Sequence, residues 1–294
     1  MRTLIVGGNG YIGSHLSKYL TDNGISTDVC GNRDTDYNLL DQNFLGVYDY
    51  IILLAGHSSV LSCAGDLVGP WNNNVRNFFN LVHKTNTNQK IIYASSSSVY
   101  GNRGGKVYTE EDLNFEFVNN YDLTKVSLDM VAKDKINQGR KIIGFRFGTV
   151  NGGSTVIRRD LMINAMTYSA LTNGVINVNN KQVYRPLLAI KDLSRAMLSV
   201  LTKDFHSGIY NLASFNSNVD EISMLVKKHT QVDIVDKGDY NGVYDFLTNT
   251  TKFQKTYGFK FEETVESIIT DVVDCYKNRN PNVVSRDKYF NYVG

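Results

Sequence analysis

The chain has 294 residues, 42% of them apolar and 20% charged, and its 31 lysines and arginines against 29 aspartates and glutamates leave a formal net charge of +2. This ordinary globular composition excludes a wholly disordered or collagen-like chain, and a charge so near balance offers no long-range field to a polyanion, so nucleic acid is not an expected partner. Three cysteines, Cys30, Cys63 and Cys275, stand far apart without metal-ligand spacing; they suit a reducing compartment, and no metal site is expected. The opening MRTLIVGGNG is too short an apolar run for a secretory signal. No later run approaches the roughly 18 apolar residues needed to span a bilayer. The expectation is a cytoplasmic protein without membrane contact.

In chain order, residues 3–6 form a β-branched run that leads through GGNGYIG into a helical stretch over 11–23. A second strand is expected at 26–30. Strand and helix then alternate: 49–55 with 71–83, 90–94 with 121–137, and a strand at 141–147. Continuous apolar strands separated by amphipathic helices mark a parallel sheet covered on both faces, which predicts an α/β, doubly wound, Rossmann-like fold. After Gly148 the rhythm changes to longer helices over 160–172, 190–202, 219–229 and 263–277, with short strands such as 208–212. That change predicts a smaller α+β substrate-binding cap. The division expected is 1–152 plus about 186–206 for the dinucleotide-binding domain, and 153–185 plus 207–294 for the cap. The tail after Asn278 has no period and is compatible with either a packing strand or a frayed end.

The glycine-rich opening carries the first chemical signal. Gly7, Gly10 and Gly13 fall at GxxGxxG spacing between a strand and a helix. The first allows the tight turn, the second lets backbone approach a pyrophosphate, and the third lets helix pack on strand. Tyr11 and Ile12, within the turn, are counted with them as cofactor-binding positions. An NAD site should place an acid at the end of the second strand to hold the ribose hydroxyls. Here the strand ends at Cys30 and Gly31, followed by Asn32 and Arg33, while Asp28 and Asp34 are off register. Arg33 suits a 2′-phosphate, so NADP is the preferred cofactor and NAD the alternative.

The second signal is YASSSSVYG at the end of the strand over 90–94, followed by YDLTK at the start of a helix. Tyr121 and Lys125, four apart, share a helix face. A nearby ammonium favours the phenolate, so the pair makes a proton-transfer device that a strand-end serine can complete by holding the substrate oxygen.

These segments, with YIILLAGHSSV, NNNVRNFFNLV, FRFGTVNGG, YRPLLAIKDLSRAM and GIYNLA, together resemble the extended short-chain dehydrogenase/reductase family, in particular its nucleotide-sugar epimerases, dehydratases and reductases. The resemblance covers almost the whole chain. It implies Ser96, four before the tyrosine of VYG, as the active serine, with Ser95 and Ser97 as its neighbours. It implies Asn74 on the cofactor side, Ala55 and Gly56 along the pyrophosphate and ribose, and Lys125 on the cofactor ribose. For the substrate it implies Arg185 on the diphosphate, with Ser58, Ser96 and Arg159 as further contacts. A homodimer through the helices around 71–83 and 121–137 is also implied, with Phe78, Phe79 and Leu81 as apolar surface.

Three departures from the family pattern stand out. Gly31 replaces the acid of NAD-binding members. Ser97 and Ser98 replace the acid pair of 4,6-dehydratases, which argues against dehydration. Asn151 replaces an aromatic at the strand-end motif. The function expected is therefore hydride transfer at a nucleotide-linked sugar carbon, C4 favoured, as an epimerase. The alternative is an NADPH-dependent 4-keto-sugar reductase, and more remotely a non-catalytic cofactor-binding scaffold. His57, His83, His206 and His229 are scattered and are given no catalytic role.

Overall fold

A computed structural model describes residues 1–31, 41–101, 104–112 and 119–278. Asn32, Arg33 and the tail from 279 onward lie outside the described residues. The order begins β1 (Arg2–Val6), α1 (Tyr11–Asp22), β2 (Ser26–Cys30), α2 (Gln42–Leu45), β3 (Tyr50–Leu53) and α3 (Val60–Cys63). A π-helical turn, Trp71–Arg76, then runs into α4 (Asn77–Lys84). There follow β4 (Lys90–Ser96), a 3-10 turn (Ser97–Tyr100), β5 (Lys106–Tyr108), α5 (Asn120–Asn137), β6 (Lys141–Phe147), β7 (Thr149–Asn151) and α6 (Met162–Asn173). The remainder is β8 (Val175–Val178), β9 (Tyr184–Ala189), α7 (Ile190–Thr202), β10 (Gly208–Leu212), β11 (Phe215–Asn218), α8 (Val219–Thr230), β12 (Asp233–Asp236), β13 (Phe246–Thr248), α9 (Thr251–Tyr257) and α10 (Val265–Lys277).

Six strands form one sheet in the order β10-β6-β4-β3-β1-β2, every pair parallel. Both faces are covered, which is why the inner strands β1, β3 and β6 carry continuous apolar runs instead of alternating. Ile5, Ile52, Ile92 and Ile143 face one core with Leu16 and Leu20 of α1 and Leu193, Met197 and Val200 of α7. Their neighbours Leu4, Ile51, Ile91 and Ile142 face the other, with Phe78 and Leu81 of α4 and Leu128 and Ala132 of α5. Strand order reverses between β1 and β3, and a crevice at such a switch point, beyond the carboxyl ends of the strands, is where this architecture receives ligands.

A third core lies outside the sheet. Ile163 and Met166 of α6, Ile222 and Val226 of α8 and Ile268, Ile269 and Val272 of α10 pack with Leu187 and Ala189 of β9. β9 sits between β11 and β7 in a separate three-stranded sheet.

Two segments sit otherwise than the expected division has them. β10, placed with the cap residues by sequence, pairs with β6 from Gly208 opposite Ile143 to Leu212 opposite Phe147 and closes the edge of the main sheet. Phe253 and Tyr257 of α9 likewise join the first core. The apolar run of β10 completes a sheet whose edge at β6 would otherwise expose unpaired backbone groups. Among the described residues no helix is long and apolar enough to cross a membrane, and no cluster of histidine, cysteine and acidic side chains could hold a metal ion.

Candidate active site

The turn from β1 to α1 is shaped by close approach. Gly7 has φ +92°, and a Cβ there would lie 2.6 Å from the Ala55 backbone nitrogen; a Cβ on Gly13 would lie 2.2 Å from the Gly7 carbonyl oxygen. The first contact brings the turn against the end of β3, and the second packs α1 on it. At the N-cap of α1, Gly10 provides no side-chain hydrogen bond, so the first-turn N–H groups and the positive end of the helix are free to meet an anion. A narrow glycine cradle at a helix N-terminus is what a pyrophosphate requires, and these residues fit a dinucleotide. The Tyr11 hydroxyl is spent elsewhere, donating to the Gly152 carbonyl at 2.8 Å. Ile12 packs against the first core. Both therefore contribute backbone alone to the turn.

Across the crevice, Ala55 donates its backbone N–H to the Val6 carbonyl at 3.0 Å. Gly56 has φ +152°, and a Cβ there would lie 2.5 Å from Asn74 Oδ1. Asn74 is buried and fully committed: Oδ1 accepts from the His57 N–H at 2.9 Å, while Nδ2 donates to the His57 carbonyl and to Thr124 Oγ1. Its observed work is to brace the loop after β3 against α5.

Strand β4 and helix α5 bring Ser96, Tyr121 and Lys125 together. Ser96 ends the strand, and Asn119 caps α5 by accepting from the Asp122 N–H at 3.0 Å, which fixes Tyr121 in the first turn of the helix. The Ser96 hydroxyl lies near the Tyr121 phenol and favours its ionised form. Lys125 Nζ donates to the Ala94 carbonyl at 2.9 Å and stands 5.8 Å from the centre of the Tyr121 ring.

The electrostatics differ from the sequence expectation. Burial pushes the Tyr121 phenol up to about 12, opposed chiefly by the nearby Ser96 hydroxyl and the Arg158 guanidinium. Lys125 is not the leading influence on the phenol, and burial draws its own ammonium down to about 8. Removing a charge from water costs more here than the neighbouring cations return.

The arginines divide. Arg158 reaches the Ser58 hydroxyl at 3.3 Å, pairs with Asp160, and is held above its usual range by Asp160, Tyr121 and Tyr11 against the cost of burial. Arg159, the arginine singled out from sequence, instead stacks 4.2 Å from the centre of the Tyr168 ring in the cap. One step along this irregular loop reverses the side-chain direction, so the cation beside the tyrosine is Arg158. Arg185 on β9 lies 5.3 Å from the centre of the Tyr244 ring, and burial draws it down to about 10.

The sequence reading missed Asp122 and Tyr244. The Tyr244 hydroxyl and Asn119 Nδ2 both donate to Asp122 Oδ2, and the Ser98 hydroxyl approaches the same carboxyl. Asp122 was visible only as a charge inside YDLTK, and its partner is 122 positions away. Asn151 also finds its reason here. Its Oδ1 accepts from the Ile163 N–H at 2.9 Å, capping α6 from β7.

Comparison with known proteins shows the family and the fold. The family described as the NAD dependent epimerase/dehydratase family matches residues 3–213. The bifunctional UDP-glucose 4-epimerase and UDP-xylose 4-epimerase 1 of Pisum sativum is 24% identical, with 95% of this chain and 96% of that one covered. Among solved structures, the NAD dependent NDP-hexosamine 5,6-dehydratase TunA superposes with a TM-score of 0.84 at 20% identity, covering 95% of this chain and 98% of that one. RMD from Pseudomonas aeruginosa, complexed with NADPH, gives a TM-score of 0.80 at 21% identity, covering 95% and 100%.

Proposed function

Because the chain belongs to the NAD dependent epimerase/dehydratase family, we propose that it is an enzyme that interconverts nucleotide sugars by hydride transfer at a sugar carbon, C4 favoured, as an epimerase. The observation that carries this reading is the convergence of Ser96, Tyr121 and Lys125 at the mouth of the glycine crevice. A bound dinucleotide supplies the hydride acceptor and, in its oxidised form, a positive charge that helps Tyr121 ionise. Gly7, Gly10, Gly13, Ala55 and Gly56 would line its pyrophosphate and ribose, and Lys125 would reach its ribose hydroxyls.

Tyr121 Oη takes the proton of the C4 hydroxyl as the carbon loses its hydrogen, and returns it when the hydrogen comes back to the other face. Ser96 Oγ holds the reacting oxygen, whose charge grows in the transition state. Arg185, half-buried and forked, suits the substrate diphosphate. Arg158 suits a second anionic group beside Tyr121, in the place first given to Arg159.

One observation favours the alternative of an NADPH-dependent 4-keto-sugar reductase. The Asp28 carboxylate is occupied by Arg2 Nε at 2.9 Å, and β2 ends at Cys30 beside Gly31, so neither offers an acid to a ribose 2′-hydroxyl. The same observation supports NADP over NAD, with Arg33 as the phosphate partner. The chain is proposed to work as a cytoplasmic homodimer.

The test is to incubate the protein with UDP- and dTDP-sugars and their 4-keto forms, following C4 configuration by NMR and nicotinamide absorbance together. An epimerase inverts C4 with no net absorbance change, whereas a reductase oxidises NADPH stoichiometrically. Neither signal with any of these substrates would remove the proposal. Arg33→Ala should weaken NADP more than NAD, and equal effects would make NAD the cofactor.

A further inference from the structure

Tyr244, in the loop that enters β13, stands between Arg185 of the cap and the helix that carries Tyr121. The chain around it is fastened on two sides. The Asp245 carbonyl accepts from the Gly105 N–H at 2.9 Å, just ahead of β5, and Asp245 Oδ1 accepts from the Tyr184 N–H at 2.9 Å, at the start of β9. β13 then pairs with β5, Phe246 opposite Lys106. Phe246 is buried and meets the Tyr244 ring edge-on, with the ring centres 6.4 Å apart. A side chain placed by two loops and a buried neighbour has little freedom to turn.

The two ends of this side chain meet different groups. Over the ring lies the Arg185 guanidinium, its carbon 5.3 Å from the ring centre, within cation–π range. The hydroxyl reaches the first turn of α5, where it donates to Asp122 Oδ2 and accepts from Asn119 Nδ2. Asn119 Nδ2 also donates to Asp122 Oδ2 at 2.8 Å, and Asn119 Oδ1 accepts from the Asp122 N–H at 3.0 Å. The donors balance. The phenol gives its one proton to the carboxyl oxygen, and the amide divides its two N–H groups between that oxygen and the phenol. Asn119, Asp122 and Tyr244 thus close a ring of hydrogen bonds at the N-terminus of α5, and Tyr121 lies within the span that they fix. Asp122 is 1% exposed, so water does not readily replace a donor lost there.

We propose that Tyr244 is a positioning residue that sets the distance between the substrate diphosphate and the reactive phenol: its ring carries Arg185, and its hydroxyl holds the turn of α5 that bears Tyr121. A nucleotide sugar is anchored at its diphosphate and reacts at a sugar carbon several bonds away. A shift of either anchor therefore misplaces C4 relative to Tyr121 Oη, and small misplacements are costly in rate. Two anchors mounted on one held side chain keep their separation. The role assigned to Tyr244 rests on the readings of Arg185 as diphosphate partner and Tyr121 as proton-transfer group.

The hydroxyl and the ring can be removed one at a time, with melting temperature as the folding control. Tyr244→Phe takes the hydroxyl and leaves the ring; Tyr244→Leu takes both. Calorimetry with UDP and dTDP needs no turnover. Tyr244→Phe should bind within about twofold of wild type, and Tyr244→Leu about threefold more weakly, the worth of one partly exposed cation–π contact. On a nucleotide sugar, Tyr244→Phe should lower kcat about tenfold with KM little changed, the worth of a lost buried hydrogen bond, whereas Tyr244→Leu should change both. A merely structural role would move the two constants together. Asn119→Ser keeps a capping hydroxyl for the Asp122 N–H but loses the amide that reaches Tyr244. Its kcat should fall alike and combine non-additively with Tyr244→Phe. Backbone amides of 121–124 should exchange hydrogen faster in Tyr244→Phe, a readout that holds even if no nucleotide sugar turns over. Wild-type protein that binds neither nucleotide removes the diphosphate reading of Arg185 and the proposal with it. Undiminished UDP affinity in Tyr244→Leu, full kcat or unchanged exchange in Tyr244→Phe, or additive losses in the double variant overturn the role of Tyr244 and leave that reading in place.

Discussion

The Arg146 guanidinium of β6 and the Asp129 carboxylate of α5 meet at 2.8 Å beneath the site, each side chain about 5% exposed. Asp129 Oδ1 also accepts from the Tyr93 hydroxyl at 2.9 Å, and Arg146 donates to the Tyr100 hydroxyl at 2.9 Å and to the Glu110 carbonyl. Burial alone would weaken the guanidinium charge, but Asp129 and Tyr100 hold it above its usual range. The pair ties the helix that carries Tyr121 and Lys125 to the sheet. Asp129→Ala leaves an uncompensated buried cation and should cost about 3–5 kcal/mol in urea unfolding. A loss below about 1 kcal/mol would mean that water reaches Arg146 in the variant.

The parts of this molecule that could be read from sequence are those whose partners are close along the chain. GGNGYIG requires its glycines for a turn complete within seven residues, and Tyr121 and Lys125 share a face because helix geometry puts them there. The serine run was ambiguous among neighbours, and only the end of β4 turns Ser96 toward the phenol. Asp122 with Tyr244, Asn151 with α6, and β10 with β6 join residues distant in sequence, which no local pattern encodes. Arg158 and Arg159 differ by one position in a loop without period, so no local pattern says which of them faces Tyr121.

Substitution in the glycine turn should separate cofactor binding from folding. A Gly10→Val side chain would stand at the N-terminus of α1, where the backbone is to approach a pyrophosphate, without entering either sheet core. Dinucleotide affinity should fall tenfold or more by calorimetry while the melting temperature changes little. Unchanged affinity in the folded variant would move the cofactor away from this turn.

Lys125 makes binding depend on pH in a stated direction. Its folded pKa is drawn from 10.5 down to about 8, so between these values the folded state holds fewer protons than the unfolded one. Its contribution to stability therefore rises with pH across that window. The ammonium that is to donate to the cofactor ribose is lost over the same range, so the dinucleotide dissociation constant should increase as pH passes about 8. A folded Lys125→Arg variant should bind more weakly but without this limb, since a guanidinium does not deprotonate there. A flat fluorescence-titration profile for the wild type would show that Lys125 does not contact the cofactor.

The proposed dimer has a place on the surface. Phe79 of α4 is 40% exposed and Met130 of α5 is 58% exposed, and Lys135 Nζ of α5 lies 5.6 Å from the centre of the Phe79 ring. Light scattering should return twice the chain mass of 33.0 kDa, and Phe79→Glu with Met130→Glu should return the monomer. A wild-type mass of one chain at micromolar concentration refutes the dimer.

Removal of the Tyr121 hydroxyl bears on the chemistry itself. Tyr121→Phe keeps the ring that packs at the start of α5 and removes only the oxygen that meets Ser96. The fold and the glycine cradle are untouched, so dinucleotide affinity should change by less than about threefold, while kcat should fall by about 10²–10⁴, the usual worth of a positioned general acid–base. Ser96→Ala should cost less. Ser98 lies 2.8 Å away and can turn its hydroxyl toward the same oxygen, and the Tyr121 hydroxyl itself remains. If Tyr121→Phe kept full turnover on a nucleotide sugar that the wild type accepts, proton transfer would have to run through another group. Lys125, drawn down to about 8 by burial and able to shed its proton near neutral pH, would then be the base to examine.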